Sequence, residues 1–295
     1  MSEPQASGRA RALGLAGAAA LAAAALTHPA LADTATGWIA FDNGDYDTAY
    51  QMFLPEAQAG DADAQYGLAL LLSDGLGVIQ DRAAAVQWLE QSALQGNDQA
   101  MVNLGYHIDL GLGHPRDLDL AEYWYAQAAQ YGNLMARNNL AYIWALDRRN
   151  LEEALSTMQD VVRQVPEESS YLDTLGWVYY QMGRFAEAVD PICEAVTLEP
   201  GHPELRIHLG DVYWQLGRSF DAQFQWNRGM LLLQEPEALS ETGLDFAEGL
   251  GAEMAAELYQ RLNEGLPYIE GGPGAAGEEG DLPVSLPDEC SVPTV

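Results

Sequence analysis

Residues 61–96 read DADAQYGLALLLSDGLGVIQDRAAAVQWLEQSALQG, and residues 97–132 read NDQAMVNLGYHIDLGLGHPRDLDLAEYWYAQAAQYG. These are two copies of one 36-residue unit, because Gly75-Leu76-Gly77 recurs as Gly111-Leu112-Gly113 at that spacing. A fixed period of this size is typical of stacked-repeat proteins, in which each unit is a helical hairpin that cannot bury its own apolar face. The stretch therefore predicts an all-α chain of helix-turn-helix repeats.

Divergent copies extend the pattern on both sides of this stretch. Upstream, residues 33–60 form a divergent repeat whose predicted second helix, Asp45–Ala59, matches the second half of the unit. Asp45 is placed to cap this helix, and Pro55 is expected to bend it. Downstream, residues 133–168 form a transitional unit that reaches its second helix through a shorter loop. Because this unit shares features with the repeats on either side, we expect one continuous solenoid rather than two independent domains.

The period changes to 34 residues over 169–234, where Leu175-Gly176 returns as Leu209-Gly210. Beyond these two units, residues 235–270 carry apolar side chains at helical spacing and are expected to form capping helices. Residues 271–295 are rich in Gly, Pro and acidic residues and have little to bury, so we expect a disordered acidic tail.

Two known repeat families are recognisable in these motifs. Residues 61–132 resemble Sel1-like repeats, which join a Leu-Gly or Leu-Ala pair, a Gly-x-Gly loop and a series of Asp, Ala, Trp, Ala and Gly. Residues 169–234 resemble tetratricopeptide repeats, with Leu-Gly-x-x-Tyr, Gly, Ala and Pro at the spacings of that family. The resemblance implies a right-handed α-solenoid that serves as a scaffold. Arg206 departs from the pattern, since the family commonly has a large apolar residue there.

The charge of the chain limits its partners. The formal net charge is −31, and all 13 basic residues are Arg. A polyanionic nucleic acid or an anionic lipid surface would be repelled by such a protein. Two interpretations of the acidity stay open: solubility, including adaptation to a saline habitat, and attraction to a basic partner.

The N-terminus has the pattern of a secretion signal. Arg9 and Arg11 precede the apolar run Ala12–Leu26, and Ala30-Leu31-Ala32 supplies the small-x-small site of signal peptidase. The run is short for a span of about 20 residues, although an uncleaved anchor is the alternative interpretation. We therefore predict that residues 1–32 are removed after Ala32, that the protein is periplasmic, and that no membrane insertion follows removal of the signal.

Two cysteines, Cys193 and Cys290, remain in the exported part. An oxidising compartment would allow a bridge between them. Cys193 follows Ile192 on a predicted second helix, where it can serve as a small core residue. Because a disordered tail must lose conformational entropy to dock, we expect the two thiols to remain unpaired.

The resemblance also identifies a candidate partner site. In tetratricopeptide hairpins the first helix lines a concave groove, and side chains three or four residues apart share that face. Counted from the Leu-Gly pairs, these positions give an aromatic ladder of Tyr106, Tyr142, Trp177, Tyr180 and Trp214. Such a ladder suits an extended or helical peptide with apolar or Pro side chains. Packing between adjacent repeats is the alternative interpretation, since aromatic stripes at helical spacing are usually core.

Polar residues accompany this ladder on the first helices. Asn103 and Asn139 occupy one position in successive units, where each either holds a peptide backbone or bridges neighbouring helices. Asp173 and Asp211 are the acidic members of the predicted groove. By contrast, the tryptophans of the second helices are expected in the core; these are Trp88, Trp124 and Trp226. Ala69 and Gly105 are expected where the two helices of a hairpin touch.

Catalytic and metal-binding motifs are not evident in the sequence. The histidines are scattered and are expected on surfaces or interfaces; these are His107, His114, His202 and His208. No short pair of metal ligands and no nucleotide-binding loop occurs, so we expect neither metal nor cofactor. The leading hypothesis is a non-catalytic scaffold that binds a protein or peptide partner. One alternative is a structural subunit of an envelope complex, and the other is an enzyme whose site would use Asp173, Asp211, His208 and Tyr180.

Overall fold

The computed structural model describes residues 33–234, residues 250–267 and Cys290, and these residues form thirteen α-helices and no strand. The predicted signal segment 1–32 lies outside the described residues, as do residues 235–249 and all of the predicted tail except Cys290. The helices are α1 (Thr34–Asp42), α2 (Tyr46–Ala59), α3 (Ala62–Asp74), α4 (Arg82–Ala93), α5 (Asp98–Leu110), α6 (Leu118–Gln130), α7 (Leu134–Leu146), α8 (Leu151–Gln164), α9 (Ser169–Gln181), α10 (Phe185–Leu198), α11 (Pro203–Gln215), α12 (Ser219–Leu233) and α13 (Leu250–Glu264).

Local sequence signals set the ends of these helices. The side chain of Asp45 caps α2 as predicted, and Asp81 and Asp117 cap the second helices of the two 36-residue units in the same way. Pro55 lies inside α2, which continues through it as one helix to Ala59. The second glycine of the Gly-Leu-Gly loop is required on two counts at Gly113, whose φ is +76° and where a Cβ would lie 2.3 Å from the carbonyl oxygen of Arg82.

The helices pack in an unbroken series in which each helix contacts the next, and the most extensive pairings join α3 to α4, α5 to α6, α9 to α10 and α11 to α12. This arrangement is the predicted α-solenoid of stacked hairpins. Odd-numbered helices are the first helices of the hairpins and even-numbered helices are the second. Helix α13 packs against α12, in the place of a first helix of a further unit. None of the described helices is long and apolar enough to cross a membrane.

The hairpins close on small residues, as the sequence predicted. A Cβ at Gly105 would lie 2.8 Å from the ring of Tyr125, and a Cβ at Gly210 would lie 2.4 Å from the indole of Trp226. Ala69 is fully buried between α3 and its neighbours. These close approaches allow large side chains of the second helices to fill the space above the first helices.

Tryptophans of the second helices belong to the core, in agreement with the prediction. Trp226 is fully buried and Trp124 is buried. Trp88 is half-buried and packs against two apolar clusters, one that contains Phe53 and one that contains Leu89. Arg206 is also buried, where its guanidinium donates hydrogen bonds to Oε1 of Gln225 at 3.1 Å and to the carbonyl oxygen of Pro200 at 3.3 Å. The departure from the repeat pattern is thus accommodated by polar partners on the next helix and the preceding loop.

The expectation of unpaired cysteines is wrong. Cys193 of α10 and Cys290 form a disulfide with their Cα atoms 5.7 Å apart. Cys290 is 1% exposed, and its carbonyl oxygen accepts a hydrogen bond of 2.8 Å from the hydroxyl of Tyr213. The expectation of free thiols considered only the conformational entropy lost on docking of the tail. Burial of Cys290 and this hydrogen bond offset that loss.

Candidate functional site

The candidate site is the surface formed by side chains of the first helices, called here the first-helix face. Each first helix contributes two positions one turn apart, and α5, α7, α9 and α11 carry the predicted ladder in consecutive order. The paired positions from α3 to α11 are Leu70 and Ser73, Tyr106 and Asp109, Tyr142 and Ala145, Trp177 and Tyr180, and Asp211 and Trp214.

Two asparagines that the sequence analysis did not single out hold successive first helices in line. Oδ1 of Asn97 caps α5 by accepting from the amide of Ala100 at 2.9 Å, and its Nδ2 donates to Asp63 of α3 at 2.9 Å. Asn133 does the same one unit later, where its Nδ2 donates to Asp98 at 2.7 Å. The signal was present in the sequence, because these two asparagines are one repeat period apart.

Of the two predicted asparagines, Asn103 makes a hydrogen bond between helices and Asn139 is bonded to its neighbour in sequence. Nδ2 of Asn103 donates to the hydroxyl of Tyr66 on α3 at 3.3 Å, so Asn103 bridges neighbouring first helices. Oδ1 of Asn139 accepts from Nδ2 of Asn138 at 3.1 Å. Both Asn103 and Asn139 remain half-buried, so each amide keeps part of its surface toward solvent.

The first-helix face is most exposed at α5, whereas on α7 the hydroxyl of Tyr142 donates to Oε1 of Glu204 on α11 at 3.4 Å. Tyr106 is 37% exposed, and Leu70 and Tyr142 on either side of it are half-buried. Burial raises the pKa of the Tyr106 phenol, and the carboxylates of Asp109 and Asp74 raise it further, so the phenol stays protonated. Burial raises the pKa of Asp109 as well, although Arg116 opposes that shift. This part of the face therefore presents a neutral aromatic ring beside acidic groups.

Beneath Tyr106, His107 links α5 to α3. Its Nδ1 donates to the carbonyl oxygen of Leu112 at 3.0 Å, so its Nε2 accepts from the hydroxyl of Ser73 at 3.1 Å. Burial lowers the pKa of His107, so the imidazole is neutral. A neutral histidine with both nitrogens hydrogen-bonded positions the loop after α5, in keeping with the predicted interface role.

The first-helix face is closed over α9. Trp177 and Tyr180 are 8% and 7% exposed, so the expectation of an exposed aromatic row is wrong for these two residues. Their rings stack on each other with centroids 4.6 Å apart, and the imidazole of His208 stacks on Trp177 at 4.2 Å. A histidine from the next first helix thus covers the indole, and the spacing within one repeat does not reveal that contact.

The two predicted groove aspartates are buried and paired. Asp173 is 6% exposed and accepts from Nδ1 of His208 at 2.9 Å. Asp211 is 1% exposed and accepts from Nε1 of Trp226 at 2.9 Å and from Nε of Arg261 at 3.1 Å. Burial raises the pKa of Asp211, although the charges of Arg261 and His208 act in the opposite direction. These carboxylates fasten helices together.

Trp214 is covered by the chain that follows α13. Its Nε1 donates to the carbonyl oxygen of Leu266 at 2.7 Å, and a Cβ at Gly265 would lie 2.1 Å from its ring. The neighbouring Gln215 donates to the carbonyl oxygen of Pro267 at 2.9 Å and to the hydroxyl of Tyr180 at 3.5 Å. The last member of the predicted ladder is therefore half-buried against residues about fifty positions further along the sequence.

The residues of the alternative catalytic hypothesis lie in one buried network. His208 connects Asp173 to Trp177, and Asp211 is bonded to Arg261 of α13. Tyr180 is linked through Gln215 to the carbonyl group of Pro267, which follows α13. Each of the four has a structural partner. Over residues 33–234, 250–267 and 290, no group of three or more His, Cys, Asp or Glu side chains is arranged to hold a metal ion.

Comparison with known families identifies the repeats. The Sel1 repeat family matches residues 62–97 and 98–133, and the tetratricopeptide repeat family matches residues 169–202. The chain therefore carries Sel1 repeats and a tetratricopeptide repeat, as the residue patterns indicated. Repeats of these families typically act as non-catalytic scaffolds for protein partners. The comparison with curated proteins found no match to this chain.

Solved structures share the fold at low sequence identity. A Sel1 repeat protein from Oxalobacter formigenes aligns with a TM-score of 0.51 and 19% identity over 79% of this chain and 100% of its own. A protective antigen of uropathogenic Escherichia coli with an SLR fold aligns with a TM-score of 0.54 and 19% identity over 82% of this chain and 58% of its own. Cut9–Hcn1 of the APC/C aligns with a TM-score of 0.52 and 15% identity over 78% of this chain and 42% of the matched one. These similarities support the solenoid fold alone.

Proposed function

We propose that the protein is a non-catalytic scaffold of the bacterial envelope that binds a protein segment on the first-helix face of α3, α5 and α7. The observation that carries the proposal is the exposure of Tyr106, which is 37% exposed between the half-buried Leu70 and Tyr142. Large aromatic side chains in such positions supply much of the energy of protein interfaces, because they bury a large apolar area with few rotatable bonds.

The electrostatics of this region favour a particular partner. Asp74 is exposed and Asp109 is half-buried beside Tyr106, and the whole chain carries a formal net charge of −31. A bound segment that places an apolar or Pro side chain against Tyr106 and a basic side chain near Asp74 would satisfy both features. In this proposal, Oδ1 of Asn103 and the half-buried amide of Asn139 pair with the backbone of that segment.

The other predicted groove residues have a different role in this proposal. Trp177, Tyr180, Asp173 and Asp211 are buried and engaged within the protein, so we assign to them the joining of α9, α11 and α13. In this proposal the partner binds at α3, α5 and α7, and the joined helices α9, α11 and α13 keep the rest of the solenoid rigid.

Export to the periplasm is the second part of the proposal. A bridge between Cys193 and Cys290 is stable in an oxidising compartment and is rare in a reducing one. The bridge therefore supports export, and the motif Ala30-Leu31-Ala32 after the apolar run supports cleavage after Ala32. N-terminal sequencing of the protein extracted from the envelope should begin at Asp33, and an intact Met1 on a membrane-bound form would contradict export by cleavage.

The binding site is tested by a crosslinked pull-down from the native envelope with the wild type and Tyr106→Ala. We expect Tyr106→Ala to lose the partner with a melting temperature close to that of the wild type, because truncation of a hot-spot aromatic costs about 2 kcal/mol or more of binding. Tyr123→Ala is the matched control, since Tyr123 is 52% exposed on a second helix. Equal partner recovery by both variants would place the interface elsewhere, as expected for a purely structural subunit.

A further inference from the structure

Helix α13 packs on α12 through the buried Leu258, and α13 and the residues that follow it also make polar contacts with α11. Arg261 donates to both carboxylate oxygens of Asp211, from Nε at 3.1 Å and from Nη2 at 3.3 Å. The backbone carbonyls of Leu266 and Pro267 accept from Trp214 and Gln215 at 2.7 and 2.9 Å. Three side chains of α11 thus hold one guanidinium and two successive carbonyl groups.

These contacts define what α11 selects. The forked hydrogen bonds to Asp211 require an arginine, because a lysine ammonium cannot span both oxygens in this geometry. Donation to two successive backbone carbonyls holds the non-helical residues after α13 without regard to their side chains. A third requirement is a glycine between the helix and the residues that follow it. At Gly265 the φ angle is +71°, and a Cβ would lie 2.1 Å from the ring of Trp214. The recognised pattern is therefore a helix with an arginine, followed by Gly and a non-helical dipeptide.

The segment is tethered at both of its ends. On its N-terminal side, residues 235–249 join it to α12, and on its C-terminal side the chain leads to Cys290, which is bonded to Cys193 of α10. A ligand tethered in this way has an effective concentration of about millimolar or more at its site, so weak contacts suffice to keep it bound. The disulfide prevents the second end from leaving.

We propose that α11 is a docking site for an arginine-bearing helix followed by a non-helical segment, and that residues 250–267 are its built-in occupant. This inference rests on the proposed scaffold function and adds a second, closed site to it. The occupant covers Trp214, and through Gln215 it restricts access to Tyr180. A partner carrying the same helix with Arg, followed by Gly and two residues with accessible carbonyl groups, would bind α11 in its place.

The test opens the site by changing the occupant and not the receptor. The variant Arg261→Ala with Gly265→Val in the full chain removes the guanidinium and places a branched side chain against Trp214, while α11 keeps its sequence. The probe is a fluorescent synthetic peptide with the sequence of residues 250–267, LGAEMAAELYQRLNEGLP, in trans. A second peptide with alanine at the position of Arg261 is the matched control.

We expect no binding of either peptide to the wild type, because its site is occupied. The opened variant should stay folded by circular dichroism and bind the native peptide at up to about 1 mM. The control peptide should bind about tenfold more weakly or worse, since the charged hydrogen bonds to Asp211 are lost.

Two results would overturn the inference. If the opened variant loses its cooperative unfolding, α13 is an inseparable part of the core and not an occupant. If the variant stays folded and the native peptide does not bind, α11 is not a docking site. Neither result concerns Tyr106, whose helix α5 is unchanged in these variants, so the proposed function is tested separately.

Discussion

Nδ1 of His208 donates to the carboxylate of Asp173 with both oxygens at 2.9 Å, which joins α11 to α9 in the interior of the protein. Burial alone would lower the pKa of His208, but the charge and hydrogen bond of Asp173, with the charges of Glu204 and Asp211, raise it to about 9. His208 is therefore a protonated, buried histidine at neutral pH.

The stability of the protein is expected to fall as the pH rises from about 6.5 to about 9. The native state keeps a proton on His208 over this range and the unfolded state releases it, so unfolding becomes more favourable with increasing pH. The stabilisation is complete below the unfolded pKa and is lost as the pH passes the folded one. We expect a loss of about 3 kcal/mol, measured by urea unfolding across the range.

The variant His208→Gln should flatten this dependence, because the imidazole that binds a proton in the native state and loses it in the unfolded state is removed. His114→Gln is the control and should leave the slope unchanged, since His114 lies in the loop between α5 and α6, away from Asp173. A wild-type protein equally stable at both ends of the range would show that His208 is neutral in the native state.

Trp177→Ala is expected to destabilise the protein by about 3–5 kcal/mol, as Trp124→Ala should, because both indoles are buried. Phe220→Ala should change the melting temperature little, since that ring is 70% exposed. Melting curves of the three variants check the assignment. If Trp177→Ala lowers the melting temperature as little as Phe220→Ala, Trp177 is exposed and becomes a candidate binding residue again.

The indole N–H groups of Trp177 and Trp226 differ in their hydrogen bonding, and this difference can be measured. Nε1 of Trp177 has no hydrogen-bond acceptor among the described residues, whereas Nε1 of Trp226 donates to Asp211 at 2.9 Å. Trp226→Phe should therefore cost about 1.5–3 kcal/mol more than Trp177→Phe, because it weakens the pairing of a buried carboxylate. Equal losses by chemical unfolding would argue against the bond to Asp211.

Gly210→Ala should be strongly destabilising, by about 2–4 kcal/mol, because the added methyl would lie 2.4 Å from the rigid indole of Trp226. Gly201→Ala is the matched control, since no atom lies within 4 Å of a Cβ built there. The control should be neutral within about 0.5 kcal/mol. A tolerated Gly210→Ala would mean that α11 and α12 can separate without cost.

Replacement of both Cys193 and Cys290 by serine should lower stability by about 3–4 kcal/mol, because the bridge closes a loop of 97 residues in the unfolded chain. Reduction of the wild type should give a similar loss. Non-reducing mass spectrometry should first detect the peptide that links the two cysteines. If only free thiols are found in the exported protein, the bridge and the second tether of α13 are refuted together.

The identity of the site was only partly predictable from the sequence. The ladder positions lie on successive first helices as the spacing indicated, and Tyr106 is exposed. Burial of Trp177 depends on His208, and cover over Trp214 depends on Gly265 and Leu266. Neither contact recurs from one repeat to the next, so the repeat pattern of the sequence does not predict it.

The sequence by itself determined the hairpins, their caps and their close packing. These features are local or recur at one period: Asp81 and Asp117 cap equivalent helices, and Gly105 and Gly210 admit the large side chains of their own hairpins. Tertiary structure alone decided which part of the first-helix face is open. The C-terminal helix and Cys290 return to α10 and α11 from distant positions, and the free energy of such contacts depends on which surfaces meet rather than on sequence spacing.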